Sequence, residues 1–322
     1  MDDITVLVLA DPTERELAML EALPDHTTIV AGNRLEAFEH RAPDADVILS
    51  WSLAQPLLER VWKLSHNVRW IHSRSAGLDN VLFPALVESP VTLTNSSGLF
   101  STSLGEFALA AILFYAKGLR RMVRSQEAGL WDQFDVVELP GQTVGIVGYG
   151  DIGRAVAQRV RAMGMKVLAL RRRPQLSSGD PLVDEVLPVE RKSELMARSD
   201  YVVVTAPLTA ETRGMIGAAE LGAMKPEAIL INVGRAAVVD EQALIAALTK
   251  RTIRGAALDV FNHEPLPAGH PFYGLDNLLL SPHCADHTPD WLEVAMRFFI
   301  ENFERFRNGQ ALQNVVEKHL GY

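Results

Sequence analysis

The sequence predicts an α/β protein built from two doubly wound parallel sheets, and three observations carry that reading. Short β-branched and aliphatic runs alternate with helical patterns over residues 4–94 and again over 143–281. Strands alternating with helices at this spacing imply parallel pairing with crossover helices. The run Val144-Gly145-Ile146-Val147 leads straight into Gly148-Tyr149-Gly150-Asp151-Ile152-Gly153, with a helical pattern behind it. A long apolar helical pattern over 101–128 separates the two series and reads as a connecting spine.

The first series opens on a buried-type strand at 4–10 (ITVLVLA) and a helix at 13–21, with Asp11 or Thr13 as its cap. A strand at 28–31 and a helix at 35–41 follow. A third strand covers 46–51, a helix runs over 57–64 behind Pro56, and further strands cover 68–73 and 91–94. In the spine, Leu104, Phe107, Ala108, Ala111, Ile112 and Tyr115 recur at helical spacing. Ser103 and Glu106 have the spacing of a capping box, which would place the helix start there. Residues 129–140 read as a loop. Strands of the second series cover 143–147, 166–170, 183–187, 201–205, 228–233, 255–260 and 278–281, with a helix at 240–248. The last helix, over 289–306, arrives after this series is complete, so it is expected to pack back on the first.

At 322 residues the chain is long enough for two domains with real cores. Its 48% hydrophobic and 22% charged content is that of a globular protein rather than a disordered one. A formal net charge of −9 argues against nucleic acid or an anionic membrane as partner. The start, Met1-Asp2-Asp3, lacks the basic flank and apolar stretch of a signal peptide, and no apolar run is long enough for a bilayer. With one cysteine, Cys284, no intrachain disulfide can form. A soluble, cytoplasmic protein is expected.

The glycine run has the spacing and the strand–turn–helix context of a dinucleotide-binding, Rossmann-like unit. Gly148 permits the sharp turn, Gly150 lets a pyrophosphate approach the backbone, and Gly153 lets helix and strand pack closely. The helix start adds N–H groups and partial positive charge for the phosphates. In such units a carboxylate about 20 positions on holds the ribose 2′-hydroxyl of NAD. Here the second strand ends in Arg171-Arg172-Arg173-Pro174 instead. Guanidinium forks suit a 2′-phosphate, so NADP(H) is favoured, NAD(H) remains possible, and a solvated basic turn is the competing reading.

Three late strands end in chemically loaded loops: Asn232-Val233-Gly234-Arg235, then 259–266 (DVFNHEPL), then Ser281-Pro282-His283-Cys284-Ala285. Ligands of such sheets bind beyond the carboxyl ends of the strands. An Arg, a Glu and a His gathered there suit hydride transfer to a 2-keto acid. His283 would protonate the ketone oxygen as general acid. Glu264 would orient the ring and favour its charged form. Arg235 would polarise the carbonyl and grip the carboxylate. Singly, each has a plain reading: surface charge, loop residue, backbone cap.

On these motifs, in this order and spacing, the sequence resembles the D-isomer-specific 2-hydroxyacid dehydrogenases over nearly its whole length. The resemblance implies that Arg235, Glu264 and His283 fill the catalytic Arg–Glu–His places. It implies a flavodoxin-like substrate-binding domain of residues 1–100 plus 289–322 and a coenzyme domain of 101–288, with the active site in the cleft between them. A homodimer built on the coenzyme domains is implied as well. Backbone N–H groups of Ser75-Ala76-Gly77 would hold the substrate carboxylate, a stretch otherwise readable as a plain glycine turn. Coenzyme contacts are implied for residues 148–153, for Pro207 and Thr212 around Pro207-Leu208-Thr209, for Val233 and Gly234, and for Asp259, which would accept from the nicotinamide carboxamide. Ser103 either reaches the nicotinamide or only caps its helix, and Trp51 either shapes the substrate pocket or lies in the core.

Departures are small. Many members have Gly after the catalytic Arg, where this chain has Ala236. His287 is read as exposed at the start of the last helix and Cys284 as packing. Members acting on formate carry Gln at the place of Glu264. By its length the chain is not expected to be a phosphoglycerate dehydrogenase with a C-terminal regulatory domain, and a short phosphoglycerate dehydrogenase remains open. The arginine turn fits best the NADPH-using glyoxylate and hydroxypyruvate reductase-like members, and bulkier 2-keto acids remain open. The reading from another class is a nucleotide-sensing binding protein or co-repressor of the same fold.

Overall fold

The structure is a computed structural model that describes residues 3–52 and 55–321. The chain divides into two units: residues up to Leu99 together with those from Thr288 onward, and Phe100–His287.

In the smaller unit the described strands are β1 (Ile4–Leu9), β2 (Thr27–Gly32), β3 (Val47–Ser50), β4 (Trp70–Ser73) and β5 (Thr92–Thr94). They form one sheet in the order β2-β1-β3-β4-β5, every pair parallel. This is the flavodoxin-like order, which reverses direction between β1 and β3. Every residue of β1, β3 and β4 is buried, as a sheet covered on both faces requires. Helices α1 (Gln55–Leu64) and α2 (Pro84–Glu88) lie in the connections. The helices predicted at 13–21 and 35–41 are instead three-ten segments, Arg15–Ala22 and Leu35–Ala37. Prolines bound both. Pro24 forces Leu23 into extended backbone, at φ −65° and ψ 147°, and Pro43 follows the second segment closely.

The C-terminal helix, Trp291–Arg307, buries Met296, Phe299 and Phe303 in this unit. Phe299 stacks on Trp70 with centroids 5.3 Å apart, and Phe298 lies 5.8 Å from the His72 ring. His72 is fully buried on β4, its Nδ1 2.8 Å from the Thr94 hydroxyl. Thr94 also accepts the Trp70 indole N–H at 2.8 Å. No partner among the described residues reaches His72 Nε2.

The larger unit carries β6 (Thr143–Val147), β7 (Lys166–Leu170), β8 (Glu185–Leu187), β9 (Tyr201–Val204), β10 (Ile229–Asn232), β11 (Gly255–Leu258) and β12 (Leu278–Leu280). Each matches a strand predicted from the sequence. Their order, β12-β11-β10-β9-β6-β7-β8, is parallel throughout and switches direction at β6 and β9. It is the dinucleotide-binding order with a seventh strand added. Residues alternate between the two faces, as the strand period demands. Val144, Ile146, Val167 and Val203 pack with Leu104, Ile112 and Val160, whereas Val147, Leu168, Val202 and Leu230 pack with Leu195, Leu221 and Leu244.

The predicted spine is two helices, α3 (Ser101–Ala116) and α4 (Leu119–Glu127). Gly118 separates them in left-handed backbone, φ +63°, and a Cβ there would meet the Phe134 ring at 2.6 Å. Nor is Ser103 the cap. The N-cap position is Phe100, without a side-chain cap, and Ser103 falls in the first turn. The remaining helices are α5 (Asp151–Ala162), α6 (Lys192–Arg198), α7 (Ala218–Ala223), α8 (Glu241–Thr249) and α9 (Pro271–Gly274). Asp240 caps α8, its side chain accepting from the Ala243 N–H at 2.8 Å. No helix among the described residues is long and apolar enough to cross a membrane.

Burial pushes the His72 pKa down from 6.5 to about 3. The folded chain therefore keeps this ring neutral while the unfolded chain takes up a proton near pH 6.5, so stability falls as pH drops from about 6.5 towards 3. His72→Leu, of similar volume, removes this dependence. Urea unfolding followed by tryptophan fluorescence at pH 7 and pH 5 is expected to show an acid-side loss smaller in the variant by about 2 kcal/mol. Equal losses in both proteins would contradict the assignment.

Candidate active site

The glycine turn joins β6 to α5. Gly148 donates its N–H to the Leu170 carbonyl at 3.1 Å, and its φ of +95° needs glycine. A Cβ on Gly148 would lie 2.6 Å from the Ala206 backbone, and one on Gly153 would lie 2.5 Å from the Gly148 carbonyl oxygen. Gly150 differs: a Cβ there would meet nothing within 4 Å. The turn is thus tight against protein at its first and third glycines and open at its second, at the start of a 12-residue helix. That is the form a pyrophosphate needs for close approach to backbone N–H groups. The Thr205 hydroxyl braces the turn from β9 by donating to the Gly148 carbonyl.

The Tyr149 side chain points into the core, where its hydroxyl donates to Asp180 at 3.1 Å. Burial, followed by the Asp180 charge, raises the phenol pKa. Asp180 also binds Arg154 on α5. Of the arginine turn, Arg171 hydrogen-bonds the Ser177 hydroxyl and Arg172 pairs with Glu211 at 3.1 Å. Arg173 is exposed at the start of a three-ten turn, Pro174–Ser177. The loop after β9 closes on itself, with Thr212 donating to the Pro207 carbonyl at 2.6 Å and accepting the Thr209 N–H at 2.8 Å.

β10, β11 and β12 are neighbours, so the loops at their carboxyl ends stand side by side. Arg235 leaves the β10 end through a turn closed by Asn232. That side chain accepts the Gly234 N–H at 3.0 Å and donates to the Arg235 carbonyl at 3.1 Å. The half-buried Arg235 guanidinium donates to the Gly234 carbonyl at 3.0 Å. Val233 and Gly234 are buried.

Glu264 and His283 meet. Glu264 Oε2 lies 2.7 Å from His283 Nδ1, and Oε1 accepts the Phe261 N–H at 2.8 Å. A carboxylate only accepts, so Nδ1 carries a hydrogen and Nε2 is the nitrogen left for other chemistry. The pair is partly exposed, at 43% for His283 and 35% for Glu264, so a ligand can reach it.

The His283 backbone is left-handed, φ +53°. Asp259 holds it there. Its Oδ1 accepts the Ser281 hydroxyl at 2.6 Å and the N–H groups of Cys284 and Ala285 at 3.0 and 3.1 Å. Asp259 is buried, which raises its carboxyl pKa, while the Ser281 hydroxyl and the two N–H groups pull the other way. The family resemblance pointed Asp259 at the nicotinamide carboxamide, and the sequence reading missed this clamp. Ser281, two residues before His283, was the available signal. The Ser103 hydroxyl adds a bond from α3 to the Ala285 carbonyl at 2.6 Å. Cys284, read from the sequence as packing, is instead exposed, its Sγ 3.5 Å from Ser281 Oγ, and His287 is exposed.

In the smaller unit, Ser75-Ala76-Gly77 follows β4. The Ala76 carbonyl accepts from Asn95 at 2.7 Å, and among the described residues no acceptor meets the Ala76 and Gly77 N–H groups. Trp51 is fully buried with its indole N–H donated to Glu14, and the Arg74 guanidinium lies 5.1 Å from its ring centroid. No group of three or more metal-ligating side chains gathers among the described residues.

The sheet order and the open glycine turn define a dinucleotide-binding unit. The family described as D-isomer specific 2-hydroxyacid dehydrogenase, NAD binding domain, matches residues 109–285. Glyoxylate reductase of Thermococcus gammatolerans is 32% identical over 315 residues, covering 95% of this chain and 92% of the relative. D-3-phosphoglycerate dehydrogenase of Methanocaldococcus jannaschii is 30% identical over 319 residues, 96% of this chain, which spans only 59% of that longer relative. A solved NADPH-dependent glyoxylate/hydroxypyruvate reductase from Sinorhizobium meliloti, in complex with NADP and sulfate, superposes with a TM-score of 0.83 at 26% identity, covering 100% of both chains. The chain belongs to the D-isomer-specific 2-hydroxyacid dehydrogenase family and is an enzyme of that family.

Asp259→Ala leaves one hydroxyl and two N–H groups without their acceptor. Thermal and urea unfolding are expected to show a loss of about 3 kcal/mol, and Asp259→Asn, which keeps one carbonyl oxygen, to recover much of it. Wild-type stability in Asp259→Ala would show that the clamp contributes nothing.

Proposed function

We propose that this chain reduces a small 2-keto acid, glyoxylate or hydroxypyruvate, to the hydroxy acid with NADPH. The observation that carries the reading is the His283–Glu264 pair, 2.7 Å apart at the carboxyl ends of a dinucleotide-binding sheet. The likeness to the Thermococcus glyoxylate reductase and the Sinorhizobium glyoxylate/hydroxypyruvate reductase supports the substrate class, and the NADPH dependence of the latter supports the coenzyme.

The glycine turn and the first turn of α5 would hold the pyrophosphate, and Arg171 and Arg172 the 2′-phosphate. The Ser177 hydroxyl and the exposed Glu211, which they meet here, are weak competitors for a guanidinium. When bound, the coenzyme would supply the hydride that adds to the carbonyl carbon. His283, protonated, donates its Nε2 proton to the carbonyl oxygen as negative charge gathers there. Glu264 keeps the ring oriented through Nδ1 and stabilises its positive charge before transfer. Arg235 binds the carboxylate and polarises the carbonyl. Asp259 acts through the loop by fixing where His283 stands.

We also propose a homodimer through the larger unit. In α4 and the segment after it, Leu119, Met122, Val123, Leu130, Trp131 and Val136 are exposed, Trp131 at 93%. Large apolar side chains clustered in this way mark an association surface.

Steady-state assays with glyoxylate, hydroxypyruvate, pyruvate, phenylpyruvate and branched 2-keto acids test the reading. NADPH-dependent turnover is expected on the first two, and His283→Ala is expected to lose roughly 10²–10⁴-fold in kcat with coenzyme binding intact. No turnover across the panel with either coenzyme would overturn it in favour of a nucleotide-binding protein. Arg171→Ala with Arg172→Ala is expected to raise KM for NADPH by roughly tenfold or more while sparing KM for NADH. Equal changes would mean a solvated turn.

A further inference from the structure

Arg74 is the first residue beyond β4, at the carboxyl edge of the sheet in the smaller unit. Its backbone N–H donates to the Ser50 carbonyl of β3 at 3.1 Å, next to the pairing of Ser50 with Ser73. Trp51 and Arg74 are therefore neighbours across the sheet. Side chains two apart on a strand share a face, so Arg74 follows Trp70 and His72 towards the C-terminal helix. That helix runs against β4: Phe306 meets Trp70, Phe298 meets His72, and Trp291 meets Arg74.

The half-buried guanidinium lies over two tryptophan rings, 5.1 Å from the Trp51 centroid and 5.3 Å from that of Trp291. Trp51 is itself fully buried and anchored through its indole to Glu14. A ring face attracts the charge as a whole rather than one N–H. The two tryptophans thus fix where the cation stands, and part of its ordering cost is met before a ligand arrives. Ser75-Ala76-Gly77 follows directly. Two peptide units join the Cα of Arg74 to that of Ala76, so the two lie within about 7.6 Å of each other. The Ala76 and Gly77 N–H groups have no acceptor among the described residues. One end of this sheet therefore carries two kinds of donor suited to carboxylates: open backbone N–H groups and a planar guanidinium.

We propose that Arg74 binds a second carboxylate on the substrate, so that the preferred 2-keto acids are dicarboxylic, of the size of oxaloacetate or 2-oxoglutarate. This rests on the reading of the chain as a 2-keto acid reductase and adds which acids of that class the site selects. The carboxylate next to the ketone takes the Ala76 and Gly77 N–H groups, and the far carboxylate takes the Arg74 fork. Glyoxylate and hydroxypyruvate lack the second carboxylate and engage only the first of these. Charge-assisted, bidentate bonds are roughly twice as strong as neutral ones, so the far carboxylate gives the longer acids their advantage.

The test compares kcat/KM for oxaloacetate and 2-oxoglutarate with that for glyoxylate, using NADPH and the full-length protein. At least one of the two dicarboxylic acids is expected to exceed glyoxylate. Arg74→Met keeps length and apolar contact with the rings but removes the charge. It is expected to lower the ratio of dicarboxylic acid to glyoxylate by roughly tenfold or more, chiefly through KM. Arg74→Lys, a charge without the fork, is expected to recover part of the ratio. A merely structural brace would lower both activities and leave the ratio where it was. Calorimetric titration of succinate and propionate into the NADP-saturated protein reads the same site without turnover, and succinate is expected to bind more tightly in a way that Arg74→Met removes. That binding result without turnover of any 2-keto acid would reject the reductase reading and support Arg74 as a carboxylate site. Three results would each overturn the proposal: an unchanged ratio in Arg74→Met, a wild-type preference for glyoxylate over both dicarboxylic acids, or succinate binding no tighter than propionate.

Discussion

Parallel pairing is the constraint on which the larger unit depends. In a parallel sheet every strand points the same way, so all carboxyl ends gather along one edge. Residues as distant in sequence as Gly148, Arg235, Glu264 and His283 therefore belong to loops at a single edge. The same pairing buries both faces and obliges the strands to be apolar throughout. β9, β10 and β11 meet that demand with YVVV, ILIN and GAAL. Polar chemistry is displaced from the strands to the residues just beyond them.

Beyond the strand ends, orientation is set by carboxylates bound to backbone. Glu264 is tied to the Phe261 N–H before it meets His283, and Asp259 gathers three donors around the loop that carries the histidine. A left-handed backbone at a non-glycine residue has a conformational cost, and the two N–H groups after His283 that bind Asp259 offset it. An imidazole on a free loop would sample many positions. Here its ring is fixed through Nδ1 and its backbone through the residues that follow. Helix α3 supports the arrangement from outside the sheet. Its first turn reaches the Ala285 carbonyl through Ser103, and its last places the Tyr115 hydroxyl beside the Asn277 carbonyl and the Leu279 N–H of β12.

Pattern alone found every strand of both sheets, because burial on two faces writes itself into a run of aliphatic residues. It did less well where local choices were close. The segment at 15–22 has helical spacing, yet prolines and short connections leave it three-ten. Gly118 inside an apolar helical pattern is compatible with continuation or with a break, and the Phe134 ring packed against it decides for the break. Ser103 and Glu106 have capping-box spacing, but the helix begins at Ser101, so Ser103 turns to Ala285 and Glu106 to Arg159.

The sequence by itself determined the fold class, the family and the residues that meet at His283, because each is written in local spacing: a glycine turn behind a strand, and polar residues at strand ends. Only the tertiary structure decided the second role of Asp259 and the Tyr149–Asp180–Arg154 network. Each joins positions 22 to 31 residues apart. No local period marks them, since what brings them together is the stacking of parallel strands and the helices laid across them.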